Sequence, residues 1–182
     1  MRFSNLLDIA VSDHGHKEYL RYYPLADHTV GVDIREDVHG KYDVDEFRIM
    51  DCEKKLKFED NSFDMVLSDN TIEHLQNPLQ FYKELQRIGN NLIVILTPHW
   101  LADSMNLTQK MIFPKKRKRE GERERMRAHV YQFKPQWFID NLDLNTWIID
   151  LHYNSMPLSL GGRISIPFPY STEIEVKLRR RK

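Results

Sequence analysis

The sequence predicts an α/β fold: a Rossmann-like, doubly wound, mostly parallel sheet whose last strand is antiparallel. Three observations predict it. Phe63–Ser68 (FDMVLS) and Leu92–Leu96 (LIVIL) are continuous apolar runs, the pattern of strands covered on both faces of a parallel sheet. Between them, Asn77–Ile88 places Leu79, Phe81, Tyr82, Leu85 and Ile88 at helical spacing, so residues 63–96 read as a strand–helix–strand unit, right-handed by default. The alternation recurs along the chain and ends in Glu173–Leu178 (EIEVKL), where apolar and polar residues alternate as in a strand.

In chain order, Ser4–Val11 (SNLLDIAV) is the first strand, Ser12–Gly15 a loop, and His16–Tyr23 a helix stopped by Pro24. Thr29–Ile34 (TVGVDI) is the second strand, with Asp33 at its carboxyl end. Residues 35–50 are polar and acid-rich, and Phe47, Ile49 and Met50 make a short third strand before Asp51-Cys52. The turn Glu59–Ser62 precedes the fourth strand. Ser68–Thr71 follow that strand, and Pro98-His99-Trp100 follow the fifth. Loops at the carboxyl ends of parallel strands form the ligand crevice of such folds. Leu101–Arg127 is an insert. Pro135–Leu142 is a helix with proline at its start, Thr146–Leu151 a strand, and the proline-rich residues 154–171 a long surface loop.

The 182 residues fit one domain, 1–182, with 41% hydrophobic and 30% charged residues. No apolar run reaches the ~18 residues of a membrane helix. The first fifteen residues carry Asp8 and no long apolar core, so they do not read as a signal peptide. One cysteine, Cys52, excludes an intrachain disulfide, and a cytoplasmic setting is expected. Formal net charge is zero, yet residues 115–127 hold eight Lys/Arg against three Glu. That run is a solvated charged helix or a local contact to RNA or another polyanion. Zero net charge argues against a protein that coats nucleic acid all over.

The stretch Asp51–Pro98 resembles the second half of the nucleotide-binding core of class I S-adenosylmethionine-dependent methyltransferases, in a type 11-like subfamily. The residues that carry the resemblance are Asp51, Leu56, Phe58, Asp60-Asn61-Ser62-Phe63-Asp64, Val66, Ser68, Glu73-His74-Leu75, Asn77-Pro78, Glu84 and Arg87. It extends more weakly over about Leu6–Leu151. It implies S-adenosyl-L-methionine as cofactor and methyl transfer to an acceptor, small or macromolecular, that the sequence does not identify. The family's first turn follows D-x-G-x-G-x-G. Asp8 stands at its acid, Ala10 and Ser12 replace its first two glycines, and Gly15 remains beside His14. A Cβ where φ must be positive costs about 1 kcal/mol or more.

The topology makes Asp33, with Ile34 beside it, a candidate for the ribose hydroxyls; the alternative is a turn or capping acid. The resemblance gives Asp51 an adenine role and Cys52 a backbone contact, against an ordinary turn acid. Ser68 and Asp69 are placed to face the transferable methyl group. Asp69, His74 and His99 are the candidate general bases. Glu73-His74 has the alternative of a cap and a surface pair. Scattered histidines, with His14-Gly15-His16 the best spaced, do not make a metal site, and none is expected. Methyl transfer from a sulfonium needs position and a dry crevice rather than a triad. Two other classes stand beside the enzyme: a binding or scaffolding module that keeps the fold without catalysis, favoured by the altered glycines, and a dinucleotide oxidoreductase, disfavoured because G-x-G-x-x-G is absent.

Overall fold

The computed structural model describes residues 2–11, 19–36, 44–98, 131–154, 158–160, 164–166 and 173–182. Seven strands form one sheet: β1 (Phe3–Ile9), β2 (Ala26–Asp33), β3 (Glu46–Ile49), β4 (Phe63–Asp69), β5 (Gly89–Pro98), β6 (Trp147–Asn154) and β9 (Glu173–Arg180). Their order is β3-β2-β1-β4-β5-β9-β6. The first five run parallel to one another, and β9 is antiparallel to both β5 and β6. This is the predicted arrangement. The chain builds outward from β1 to β3, then reverses and adds β4 on the other side of β1. That reversal is the switch point where open α/β sheets hold their ligands.

Period-two alternation sorts the strands between two faces. Leu7, Ile9, Val30, Val32, Val66, Ile93, Ile95, Ile174, Val176 and Leu178 point to one core. The helix α1 (Pro78–Ile88) covers it with Phe81, Tyr82, Leu85 and Ile88. Leu79, read from the sequence as part of this stripe, is 37% exposed; it lies one helical step, about 100°, off the line through Pro78, Phe81 and Tyr82. The helix α2 (Pro135–Asp140) adds Phe138, whose carbonyl accepts a buried 3.1 Å bond from the Tyr82 hydroxyl. Phe133, Trp137 and Phe138 stack around them with ring centres 4.7–5.5 Å apart. Phe3, Leu6, Met65, Leu67, Val94 and Leu96 face the other way, packed by Tyr22 and Tyr23.

Those two tyrosines sit on a 3-10 helix, Tyr19–Leu25, that holds Pro24 inside it. The sequence places a helix end there. In so short an element the missing proline N–H removes little bonding. Residues 154–171, expected as loop, contain a small antiparallel pair, β7 (Leu158–Leu160) with β8 (Ile164–Ile166). Gly161-Gly162 between two apolar-alternating triplets is the hairpin signal that the neighbouring prolines obscured. At the α1–β5 junction, helix passes to strand at Gly89. A Cβ there would stand 2.8 Å from Ile93 Cγ1 and 3.1 Å from the Leu85 carbonyl.

Candidate functional site

Strands β1, β2 and β3 end side by side, with Ile9 opposite Val32 and Asp33 opposite Ile49. Beyond them lies a cavity of about 170 Å³. Five residues expected to bind a cofactor line it together: Ala10, Asp33, Ile34, Asp51 and Cys52. Ile9, Val32, Met50, Glu53 and Leu75 complete the wall. The sequence reading missed these five, although Leu75 closes the Glu73-His74-Leu75 motif and Met50 precedes Asp51. The wall is mostly apolar with a few carboxyls, the composition of a small-molecule pocket.

Ala10 has φ 60°, the left-handed region, as a glycine turn would require. Its N–H and that of Val11 both donate to the Val32 carbonyl, at 2.8 and 3.2 Å. Asp33 is buried, and its Oδ1 accepts from the Arg35 N–H at 2.9 Å, so it shapes its own turn while lining the cavity. Asp51 likewise accepts from the Glu53 N–H at 3.0 Å and lies 3.2 Å from Lys54 Nζ. The turn role and the cavity role therefore coexist at both acids. Burial, reinforced by Asp51, pushes the Cys52 thiol up to about 12, so it is neutral and no nucleophile at ordinary pH.

Asp8 and Ser68 are not in that wall. Asp8 Oδ2 accepts from the Tyr23 hydroxyl at 2.5 Å. Burial raises its carboxyl to about 7, against the lowering effect of the Tyr23 bond, with Asp33 adding repulsion. Tyr23 was not legible as a partner, because the contact depends on the 3-10 segment returning over the sheet. Ser68 is fully buried, and its Oγ has no hydrogen-bond partner among the described residues. Asp69, one residue on, is lifted to about 8 by burial and then by Asp8, Glu173 and Glu73. A carboxyl near 8 is mostly protonated at neutral pH, which suits an acid–base role better than an ordinary aspartate.

After β4, Asn70 takes φ 44° and its side chain donates to Asp69 Oδ1 at 2.7 Å. The short 3-10 turn Ile72–His74 follows. Glu73 is buried there, at 1% exposed, and accepts from the Thr97 hydroxyl at 3.2 Å. The surface-pair alternative for Glu73-His74 is thereby corrected: Glu73 belongs to the interior and His74, 30% exposed, lies 3.9 Å from it. Ser12, Gly15, His99 and the run 115–127 lie outside the described residues. Among the described residues no group of three or more His, Cys, Asp or Glu is arranged to hold a metal ion.

A larger cavity, about 580 Å³, opens at the opposite, amino end of the sheet, between Asp60, Lys83, Arg87, Asp143 and Arg180. Size alone would favour it. It is polar, and among its charged groups Arg87 and Asp60 pair with each other, whereas the smaller cavity lies at the carboxyl ends of β1–β3 and gathers five of the expected residues.

Residues 7–91 match the family model described as "Methyltransferase domain". Among solved structures, the chain is similar to the YcgJ protein of Bacillus subtilis, with TM-score 0.67, 14% identity, and 98% of this chain and 92% of that one covered. It is also similar to a SAM-dependent methyltransferase of Archaeoglobus fulgidus, with TM-score 0.64, 16% identity and coverage of 97% and 86%. A third is the plantazolicin methyltransferase BpumL, solved with a desmethyl analogue of plantazolicin and SAH, with TM-score 0.66, 16% identity and coverage of 99% and 78%. No curated protein sequence matches the chain. Residues 7–91 are thus similar to a methyltransferase domain, in keeping with the sequence resemblance, and the chain shares its fold with these solved structures.

Proposed function

We propose that the protein binds S-adenosyl-L-methionine in the cavity at the ends of β1–β3 and transfers its methyl group to an acceptor. One observation carries this: five residues expected to hold the cofactor, from three separate strand ends, line a single cavity at the switch point of a methyltransferase fold. The cofactor supplies an electrophilic methyl on a sulfonium, with a neutral thioether as leaving group. Drug-sized ligands occupy pockets of about 300–1,000 Å³. The cavity, at about 170 Å³, fits the nucleoside end and leaves the rest to extend toward the end of β4. Asp33 accepts from the ribose hydroxyls, Asp51 and the Cys52 backbone meet the adenine edge, and Ile34 flanks it. Asp69 borders the methyl group, with Ser68 buried behind it, and Asp69 or His74 takes the acceptor's proton where there is one. BpumL, a neighbour by fold, is bound to SAH, the product of such a transfer.

We take residues 1–182 as one domain acting in the cytoplasm, with the run 115–127 as a candidate surface for a polyanion. No helix among the described residues is long and apolar enough to cross a membrane. The scaffold reading is favoured by one feature, the methyl group of Ala10 in the cavity wall.

Titration calorimetry decides between them. S-adenosylmethionine and S-adenosylhomocysteine are expected to bind the wild type. Asp33→Ala is expected to weaken both about ten- to a hundredfold, the worth of a hydrogen bond to a charged acceptor. Folded protein that takes up neither ligand at millimolar concentration is a scaffold. Binding that Asp33→Ala leaves untouched puts the ribose elsewhere.

A further inference from the structure

Three non-glycine residues among those described have positive φ: Ala10, Asn61 and Asn70. Asparagine tolerates this region because its side chain can bond locally. Alanine has no such group, and strained residues of this sort persist only where their surroundings over-determine them. Here the surroundings are plain. The N–H groups of Ala10 and Val11 converge on the one Val32 carbonyl, which pins the turn to β2. The Ala10 side chain packs against the core, and the residue lines the cavity together with Ile9 and Asp33. Neither neighbour can retreat. Ile9 is fully buried, and Asp33 is fixed by the Arg35 N–H.

We propose that Ala10 is the affinity-setting residue of the nucleoside cavity, its methyl group limiting how closely the cofactor can approach the turn. The proposal rests on the cofactor reading above. It makes the protein a weak binder that exchanges its cofactor readily, with the turn kept in ligand-ready geometry by the Val32 carbonyl. Glycine at this position removes two things at once, the backbone strain and the methyl. Relief of strain alone raises stability and leaves affinity unchanged. Relief of the methyl tightens the ligand.

The test measures the dissociation constant of S-adenosylhomocysteine by calorimetry for wild type, Ala10→Gly and Ala10→Ser, each checked as folded by its melting curve. Ala10→Gly should bind about 3- to 30-fold tighter, a range worth about 0.7–2 kcal/mol. Ala10→Ser, which enlarges the same wall, should bind several-fold weaker than wild type. Binding by Ala10→Gly where the wild type shows none supports the proposal in its strongest form. Wild-type binding that Ala10→Gly improves by less than about twofold overturns it and leaves the cofactor reading intact. Absence of binding by all three folded proteins overturns both.

Discussion

The two ends of the sheet are built on opposite electrostatic principles. At the amino end, charges are matched. Arg87 alone bonds Glu84 through two nitrogens, at 3.0 and 2.5 Å, Asp60 at 2.6 Å, and the carbonyls of Phe58 and Leu56 at 2.8 and 3.2 Å. Glu84 in turn accepts from the Leu56 N–H, and the Arg87 carbonyl accepts from the Asn61 N–H. Asp64 ties β1 to β5 by accepting from the Ser4 N–H and from Asn90 and Asn91. At the carboxyl end, like charges are crowded instead. Burial holds Asp8 and Asp69 partly protonated, and like charge adds to it, from Asp33 on Asp8 and from Asp8, Glu173 and Glu73 on Asp69. Ala10 and Asn70 carry left-handed backbone there. The amino end, where Asn61 is the one left-handed residue among those described, stabilises the fold; the carboxyl end holds Ala10, Asn70 and the shifted acids, features that cluster at functional sites. The larger cavity lies at the other end of the sheet from these shifted acids.

The strongest way to break this division is at Arg87. Arg87→Ala removes five bonds and leaves Glu84, 12% exposed, without its bidentate partner. Loss of one member of a buried pair costs 3–5 kcal/mol, and the partial exposure of this one puts the expected cost at about 3 kcal/mol. Urea unfolding measures it. Where the variant is still folded, its affinity for S-adenosylhomocysteine should equal that of the wild type. A loss of affinity without loss of stability would show the amino end to be part of the site.

At the carboxyl end the corresponding prediction concerns pH. Unfolded aspartates titrate near 4, but Asp8 and Asp69 titrate near 7 and 8 in the fold. Between those values the native state binds more protons than the unfolded one. The stability these two groups contribute is therefore complete below about pH 4 and is lost as pH rises to about 8. Asp8 raises the titration of Asp69, so the two shifts are not independent and the loss is on the order of 2 kcal/mol rather than their sum. Asp45, Glu46 and Asp143 are shifted downward, and their effects fall below this window. Asp69→Asn should flatten the profile of urea midpoints between about pH 5 and pH 8. Parallel profiles for variant and wild type would mean that the carboxyl end is no more strained than the amino end.

This contrast also explains what the sequence could reveal. The parallel strands were legible because burial on both faces forces continuous apolar runs such as Leu92–Leu96. The motif residues Asp60, Asn61, Asp64, Glu84 and Arg87 were legible too, and in the structure they are largely the staples of the amino end. The cavity at the ends of β1–β3 was legible through Asp33 and Asp51, because strand ends can be located from apolar periodicity. Tyr23 against Asp8 was not, since it depends on a 3-10 segment folding back. Nor was the burial of Glu73, which rests on Thr97 two strands' length away in sequence. The left-handed conformation of Ala10 was visible only as a departure from a glycine pattern; its backbone angle is one that glycine adopts readily.

The smallest expected effect tests whether the division holds within a single helix. Helix α1 begins near the carboxyl end of β4 and returns the chain to the amino end of β5, so Asn77 lies on the strained side while serving the fold. Its Oδ1 accepts from the Gln80 N–H at 3.2 Å, and its amide donates to Gln80 Oε1 at 3.1 Å. Pro78 at the first helical position already removes one of the four donors that a helix start leaves unmet. Asn77 meets another. Asn77→Ala should cost about 1 kcal/mol, the usual worth of such a cap. Asn77→Asp should cost almost nothing, because a carboxylate accepts the same bond and favours the positive end of the helix dipole. Urea midpoints of the three proteins measure this, and calorimetry with S-adenosylhomocysteine should give one affinity for all of them. If Asn77→Ala also weakens the ligand several-fold, the helix start transmits to the Ile72–His74 turn and the Leu75 wall of the cavity, and the line between the two ends must be drawn through α1 rather than before it.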